Sequence, residues 1–409
     1  MANIDAIIIG GGPAGMMAAI TAAERDRRVT LIEHNDFCGK KLRITGKGRC
    51  NVCNDCDIKT FLQNVPRNPK FLYGALSRFT PADTMAFFEE SGVPLKTERG
   101  RRVFPVSDNA HDVASALERR ARRAGVSVLI ADAKAVLQEN GAVRGVDTSE
   151  GELFCESVLI ATGGLSYPLT GSTGDGFRFA RALGHTVAAP RPSLVPLESD
   201  GPDCGEMQGL SLKNVTLTVL DSRGRTVFSE LGELLFTHFG VSGPLVLSAS
   251  AHMRGLTKGE RYTLELDLKP GLDEDRLDNR VLRDFDKYKK RDFGNALGDL
   301  LPRRMIPVLL RRCAIPPETK VHSVTREQRR ELVGTMKAFR IPVSGPRPIA
   351  EAVVTSGGVE VGEIDPRTMR SRLVRGLYFA GEVIDVDAFT GGYNLQIAWS
   401  TGRLAGTQL

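Results

Sequence analysis

The chain has 409 residues, 41% of them hydrophobic and 25% charged, with a net charge of +6. This is the composition of a globular protein of two or three domains, and it excludes disordered, collagen-like and disulfide-scaffold chains. No apolar run reaches the roughly 18 residues of a membrane span, and the first apolar run has no basic flank and ends in glycines, so a cytoplasmic protein without a membrane partner is expected.

The N-terminal segment reads as a strand over 4–9, a glycine turn, a helix, a second strand over 29–32 and an acid, Glu33. Each part has a job in holding a dinucleotide. Gly10 permits the tight turn, Gly12 lets a pyrophosphate approach the backbone, and Gly15 lets the helix pack closely on the sheet. The turn continues through Pro13 and Ala14, where the helix start presents unpaired N–H groups to phosphate. Glu33 stands where an acid bonds a ribose hydroxyl, which favours a 2′-hydroxyl ligand, FAD or NAD, over NADP.

A basic, glycine-punctuated loop follows, with Lys40, Lys41, Arg43, Lys47, Gly48, Arg49, Cys50 and Asn51 suited to a pyrophosphate or flavin edge. Seven scattered cysteines suit a reducing compartment. Cys38, Cys50, Cys53 and Cys56 lack a second pair or a histidine partner, so no metal is assigned to them. Residues 68–125 read as largely helical, with Thr80 before Pro81 as a helix start. Short strands are expected over 126–130, 135–137 and 143–146, with turns at Asn140-Gly141 and Glu150-Gly151. The first of these strands would bring Ala133 beside an adenine. A buried strand from 157 ends in Ala161, Thr162, Gly163 and Gly164, and a turn-rich stretch, 165–176, leads into a helix over 177–183.

Prolines 190, 192 and 196 mark an exit from the first domain. Strands are expected over 215–220, 225–228, 234–239 and 262–268, then charged helices over 272–339. This middle portion reads as a small β-barrel with a helical appendix. Glycine chemistry returns at 351–359 and 376–383, and Gly391, Gly392, Tyr393, Asn394, Leu395, Gln396 and Ile397 open a last helix. The middle portion has no second GxGxxG motif, so a nicotinamide donor would have no dedicated fold of its own.

The two ends together resemble the FAD-binding half of glutathione-reductase-like flavoproteins. That resemblance implies that the strand ending at Ala161, Thr162 and Gly163 passes under the cofactor. It also implies that Glu382, after Gly381, bonds the ribityl chain and that the last helix points its N-terminus at the flavin, with Asp387 on the segment between. A helix N-terminus there would stabilise negative charge on reduced flavin.

Four motifs narrow the match: Lys40-Lys41-Leu42 with Thr45-Gly46-Lys47-Gly48-Arg49-Cys50-Asn51, and those at 170–176, 235–244 and 390–396. Together they resemble the BaiN/YhiN family of bacterial FAD-dependent oxidoreductases, also described as aminoacetone-oxidase-like, over essentially the whole chain. The family's loop more often reads Cys-Asn-x-Thr-Asn, whereas Cys53 here replaces the hydroxyl.

The resemblance implies an α/β fold: a Rossmann-like FAD-binding domain of glutathione-reductase type, 1–188 and 347–409, interrupted by an inserted β-barrel plus helical domain, 189–346. The expected activity is hydride transfer through flavin N5, from NAD(P)H to an unsaturated small molecule, steroid- or bile-acid-like. An amine oxidase using O2 and a nucleic-acid-associated flavoprotein are the alternatives, the second resting only on net charge and Arg-rich helices. Candidate catalytic residues are His238, Tyr393 and Asn394, with His238 either a proton donor or a structural loop residue, and Tyr393 either catalytic or packing. A small-molecule substrate is expected, with no nucleic-acid partner. The oligomeric state is not legible.

Overall fold

The computed structural model describes residues 4–253 and 255–409. The chain forms two compact units: one runs to Ser193 and resumes at Pro348–Leu409, and the other is Leu194–Arg347. The strand Val187–Ser193, which crosses the expected boundary at 188, therefore belongs with the first unit.

In the first unit five strands pair in parallel, in the order Ser127–Ile130, Val29–Glu33, Ile4–Ile9, Gly151–Ile160, Leu377–Phe379. Ile7, Ile8, Val158, Leu159 and Ile160 are fully buried, as parallel strands covered on both faces require. This is a Rossmann-like α/β sheet. The strand Gly151–Ile160 has two partners along its length. Up to Phe154 it pairs antiparallel with Ala142–Thr148, and from Cys155 it joins the parallel sheet beside Ile4–Ile9. The hairpin feeding it turns at Asn140 and Gly141, both with positive φ (52° and 72°), as a type I′ turn requires.

Two helices meet on this sheet. Pro13–Ala23 follows the glycine turn, and Tyr393–Gly406 closes the chain. A Cβ on Gly402 would stand 2.3 Å from the Ala14 carbonyl oxygen, and one on Gly406 would stand 2.5 Å from that of Ala18. The helices therefore touch backbone to backbone and run parallel. Gly402 lies nine residues into its helix and Ala14 only one into its own, so the C-terminal helix begins about 12 Å ahead, at roughly 1.5 Å per residue. Trp399, fully buried, donates its indole N–H to the Val52 carbonyl at 2.9 Å and fixes the helix rotation.

Region 68–125 is less helical than its sequence suggests. Thr80 and Asp83 form a capping box for the helix Pro81–Glu90, and Asn109 caps Ala110–Arg123. Between them Leu95–Glu98 and Arg102–Pro105 form a hairpin that, with Cys53–Asn54, makes a three-stranded sheet. Its turn places Gly100 and Arg101 at positive φ. The strands are too short for their alternation to stand out between two amphipathic helices.

The second unit holds a seven-stranded sheet in the order Phe339–Val343, Tyr262–Asp267, Ser211–Leu220, Thr226–Thr237, Gly240–Ser242, Leu197–Glu198, Gly345–Pro346. All its pairs are antiparallel. Two corrections follow. The expected strands 225–228 and 234–239 are one strand, Thr226–Thr237, because a register shift opposite, between Leu212 and Val215, accommodates Gly232. The sheet also runs open from end to end: no pairing joins its outer strands among the described residues, so the described pairings do not close the expected barrel. The helices Glu274–Lys287, Ile306–Arg312 and Arg326–Lys337 belong to this unit. Among the described residues no helix is long and apolar enough to cross a membrane.

The helix contact gives a direct expectation. Gly402→Ala overpacks the Ala14 carbonyl and lowers unfolding free energy by about 1–3 kcal/mol. A urea denaturation midpoint equal to that of the wild type would contradict the backbone contact.

Candidate cofactor site

The fingerprint turn sits where two neighbouring strands end together. Gly10 has φ 106°, and a Cβ there would meet the Ala161 carbonyl oxygen at 2.6 Å. A Cβ on Gly15 would meet the Gly10 carbonyl at 1.9 Å, whereas one on Gly12 would find nothing within 4 Å. Gly12 is the N-cap of Pro13–Ala23, and no side chain caps that helix. The first-turn N–H groups thus face open space, free for an anion. Ala14, buried beside the Gly381 turn, closes the floor.

Glu33 is buried and held by three donors. Its Oε2 accepts from Gly11 N at 2.9 Å, and its Oε1 accepts from Asn35 N at 2.8 Å and Asn35 Nδ2 at 2.6 Å. A carboxylate has about four acceptor sites, so one direction remains for a hydroxyl donor. Lys40 donates to Asn35 Oδ1 at 3.0 Å and so supports Glu33 through that amide. Ala131 N donates to the Glu33 carbonyl at 3.0 Å, which brings the start of the strand Ala133–Glu139 close to the acid.

Glu382 repeats the device. Its Oε1 accepts from Thr355 N at 2.7 Å and Ser166 Oγ at 2.9 Å, and its Oε2 accepts from Lys41 Nζ at 2.9 Å across 341 residues of sequence. Again one acceptor direction is left. Gly163 and Gly381, at φ 75° and 76°, turn the two strand ends that meet here. Thr162 Oγ1 is buried without a hydrogen-bond partner among the described residues, beneath Gly176.

The second helix start also lacks a side-chain cap. Gly392, at φ 97°, is the N-cap of Tyr393–Gly406, with no side-chain cap and no acid in the first turn. The loop from Cys50 to Asn54 holds it in place. Asn51, with its amide donating to Cys53 O at 3.1 Å and Val103 O at 3.2 Å, accepts from Gly392 N at 2.9 Å. Asn54 Nδ2 donates to Gly391 O at 3.0 Å. A Cβ on Gly392 would stand 2.3 Å from the Cys53 carbonyl oxygen, so only glycine fits. Within the basic loop, Gly46, Lys47, Gly48 and Cys50 all take positive φ, and a Cβ on Gly48 would meet nothing within 4 Å.

Several expected site residues have other work. Arg43 bonds Glu118 at 2.6 Å and His111 Nδ1 at 3.1 Å, and Arg49 is paired with Glu98 and Asp108 over the Phe104 ring. Asn394 spends its amide on the chain just before it, accepting from Ala388 N at 2.9 Å and donating to Ala388 O at 2.8 Å and Phe389 O at 3.4 Å. Tyr393 packs edge-on against Phe61, with ring centroids 5.1 Å apart. Leu395 is half-buried, while Gln396 and Ile397 are buried, with the Gln396 amide donating to Phe79 O. Asp387 is buried and accepts from Ser193 Oγ and Ser356 Oγ, both at 2.9 Å; burial pushes its pKa up. His238 lies in the second unit, exposed in the tight turn between Thr226–Thr237 and Gly240–Ser242, edge-on to Phe239. Asn35, Asn54, Ser166 and Thr355 escaped the sequence reading. Each acts on a partner distant in sequence or through a commonplace polar group, and only the glycines flanking them gave a signal.

The cysteines near this loop are buried: Cys50 and Cys53 fully, Cys56 nearly so. Burial pushes the Cys50 thiol up to about 12 and Cys56 to about 11, and raises Cys53 further. At pH 8 burial therefore keeps all three protonated, hence poor nucleophiles. Among the described residues no group of three or more His, Cys, Asp or Glu could hold a metal ion.

Two uncapped helix starts about 12 Å apart along one direction, together with the two oriented acids Glu33 and Glu382, fit an extended dinucleotide. The pyrophosphate would meet Gly12 and the reactive ring would meet Gly392.

A family model described as HI0933-like protein Rossmann domain matches residues 4–408. The chain is 32% identical over 404 residues to a 3-dehydro-bile acid delta(4,6)-reductase of Clostridium scindens, covering 98% of this chain and 97% of the relative. It is 33% identical over 406 residues to a ribosomal RNA dihydrouridine synthase of Escherichia coli, covering 98% and 96%. Its fold is similar to that of 3-ketosteroid delta1-dehydrogenase from Sterolibacterium denitrificans, with a TM-score of 0.53 at 13% identity, covering 100% and 99%.

Two measurements test the site. Glu33→Gln removes the charged acceptor and weakens FAD binding about 10- to 100-fold, as expected for a hydrogen bond to a charged group; retention of FAD equal to wild type through gel filtration would count against the assignment. Ellman's reagent at pH 8 leaves Cys50, Cys53 and Cys56 unlabelled in the native protein and labels them in guanidinium. Rapid native labelling of any of the three would reopen a redox role.

Proposed function

The chain belongs to the HI0933-like Rossmann family and is an FAD-type oxidoreductase, and from that premise we propose that it reduces a carbon–carbon double bond conjugated to a carbonyl, with NAD(P)H as hydride donor. The observation that carries the proposal is the pair of staggered, uncapped helix starts, read with the chemistry common to the relatives' names. A 3-dehydro, delta(4,6) bile acid presents alkenes conjugated to a 3-oxo group. The uracil ring of uridine presents one conjugated to its C4 carbonyl.

FAD, when bound, supplies the two-electron relay between the nicotinamide and the substrate. The protein's part is to bind and polarise. The N–H groups beyond Gly12 take the pyrophosphate, Glu33 and Glu382 take sugar and ribityl hydroxyls, and the N–H groups beyond Gly392 stabilise negative charge at the reactive edge. Lys41, with its Nζ 2.9 Å from Glu382 Oε2, keeps that carboxylate aimed. The second unit is antiparallel throughout its described pairings. It offers no parallel βαβ unit of the dinucleotide-binding kind, so NAD(P)H is taken to visit without a dedicated Rossmann domain. Reduction of the alkene also needs a proton. Asn394 has none to give and is engaged with Ala388; His238 and Tyr393 are the side chains to substitute.

The expected substrate is a small conjugated ketone of steroid type. Uridine in ribosomal RNA is a second reading, favoured by two relatives that carry that name. Anaerobic mixing with NADH and NADPH is the first test, and rapid bleaching near 450 nm is expected. Bleached enzyme should then convert a 3-oxo-Δ4 steroid to a product two hydrogens heavier. Reoxidation by ribosomal RNA instead, in a reaction that weakens steeply with salt, would assign the second reading. No bleaching by either nicotinamide, with peroxide formed from aminoacetone in air, would replace both with an oxidase.

A further inference from the structure

The stretch Leu165–Gly174 joins the strand end at Gly163 to the helix Asp175–Ala182, and it is built too firmly for a connector. One end is tied to the Glu382 cluster. Ser166, fully buried, accepts from Lys41 Nζ at 2.6 Å and donates to Glu382 Oε1 at 2.9 Å, while Leu165 N and Ser166 N both donate to Thr355 Oγ1. The other end is tied to the Glu33 cluster. Asn35 Nδ2 donates to Thr170 O at 3.2 Å, and a Cβ on Gly171 would stand 2.6 Å from both His34 Nε2 and Asn35 Nδ2. Three residues, Tyr167, Pro168 and Leu169, therefore span from the anchor at Glu382 to the anchor beside Glu33.

Between these anchors the chain is rigid and strained. Tyr167 sits at φ 53°, ψ 60°, a left-handed conformation that is costly for an aromatic residue. It is held there by Tyr167 N to Ala350 O at 3.3 Å, by Thr170 N and Oγ1 to Tyr167 O at 2.8 and 2.7 Å, and by the fixed φ of Pro168. The tip so formed presents Leu169, 90% exposed, and the part-exposed ring of Tyr167. A lone exposed leucine means little. A strained turn that holds a leucine and a tyrosine outward, pinned at both ends to the acids of a cofactor site, is an over-determined arrangement of the kind found at ligand clamps.

We propose that Tyr167-Pro168-Leu169 is a strap across the bound dinucleotide, between the contacts made by Glu33 and Glu382, and that Tyr167 and Leu169 are cofactor-retention residues. The inference rests on the FAD reading of this site and adds a kinetic role to it. The strap shields the middle of the cofactor from water and slows its escape, and it leaves the helix N-termini and the acids to set orientation.

The test is the rate of FAD release, followed by trapping flavin that leaves the loaded protein with an excess of a flavin-binding apoprotein. Leu169→Ser removes an exposed side chain and leaves the fold intact. Tyr167→Gly removes the ring while relieving the positive φ, so its thermal midpoint without FAD should equal or exceed that of the wild type. Both variants should release FAD about tenfold faster or more. Tyr167→Phe, which keeps the ring, should restore the slow rate. Wild-type release rates in both Leu169→Ser and Tyr167→Gly would overturn the strap and leave the FAD site standing. A wild-type chain that takes up no FAD at all would overturn the site and the strap together.

Discussion

The closest constraint in the first unit is the contact between its first and last helices. Because Gly402 and Gly406 lie against the Ala14 and Ala18 carbonyls, the helices run parallel and the second leads the first by roughly 12 Å. That lead separates the two uncapped N-termini by the span of a dinucleotide's middle. A larger residue at either glycine would push the helices apart and shift one N-terminus relative to the other. The sheet underneath sets the same register. The strands Ile4–Ile9 and Gly151–Ile160 pair directly, and Gly10 and Ala161 end them together at a packing distance only glycine permits. The crevice at the carboxyl ends of these neighbouring strands is where ligands bind in open α/β sheets.

The acids complete what the helices begin. Glu33 and Glu382 come from opposite ends of the chain, yet each is bonded by three donors and each keeps one acceptor direction. A buried carboxylate with fewer partners would be costly, and one with all its sites taken could not bind a hydroxyl. Lys40 and Lys41, adjacent in sequence, divide between the two acids, the first through Asn35 and the second directly. One basic dipeptide thus fixes both ends of the site.

The glycine positions were the most legible part of the sequence because their reasons are local or steric. A tight turn, a close helix and an open N-cap each exclude a side chain, and Gly10, Gly12, Gly15 and Gly392 stand where those demands arise. Charge was less legible. Arg43 and Arg49 sit in the same basic loop as Lys40 and Lys41, but acids on the helix Ala110–Arg123 and around the hairpin Leu95–Pro105 claim them. A cation's partner is chosen by tertiary structure, and composition does not name it. The hairpin itself was hidden for a related reason, since its two four-residue strands gain their stability from Cys53–Asn54, far off in sequence. Asn54, Ser166 and Thr355 carry ordinary hydrogen-bonding groups whose importance comes only from where the chain returns.

The interruption of the first unit is handled by the same economy of backbone contacts. The chain leaves along Val187–Ser193 and re-enters along Val354–Val359, and these two segments pair antiparallel with a bulge between Ala188 and Arg191. Asp387 bonds Ser193 and Ser356 on the two segments, and Asp385, forked by Arg67, donates its N–H to Val359. The loop carrying both acids runs on to Asn394, whose amide clamps Ala388 one turn before the helix settles. The seam that closes the unit across its insertion is therefore built from the same short loop that sets the start of the C-terminal helix. Asn51, Asn54 and Ala388, all of the first unit, take part in the hydrogen bonds that aim that helix start.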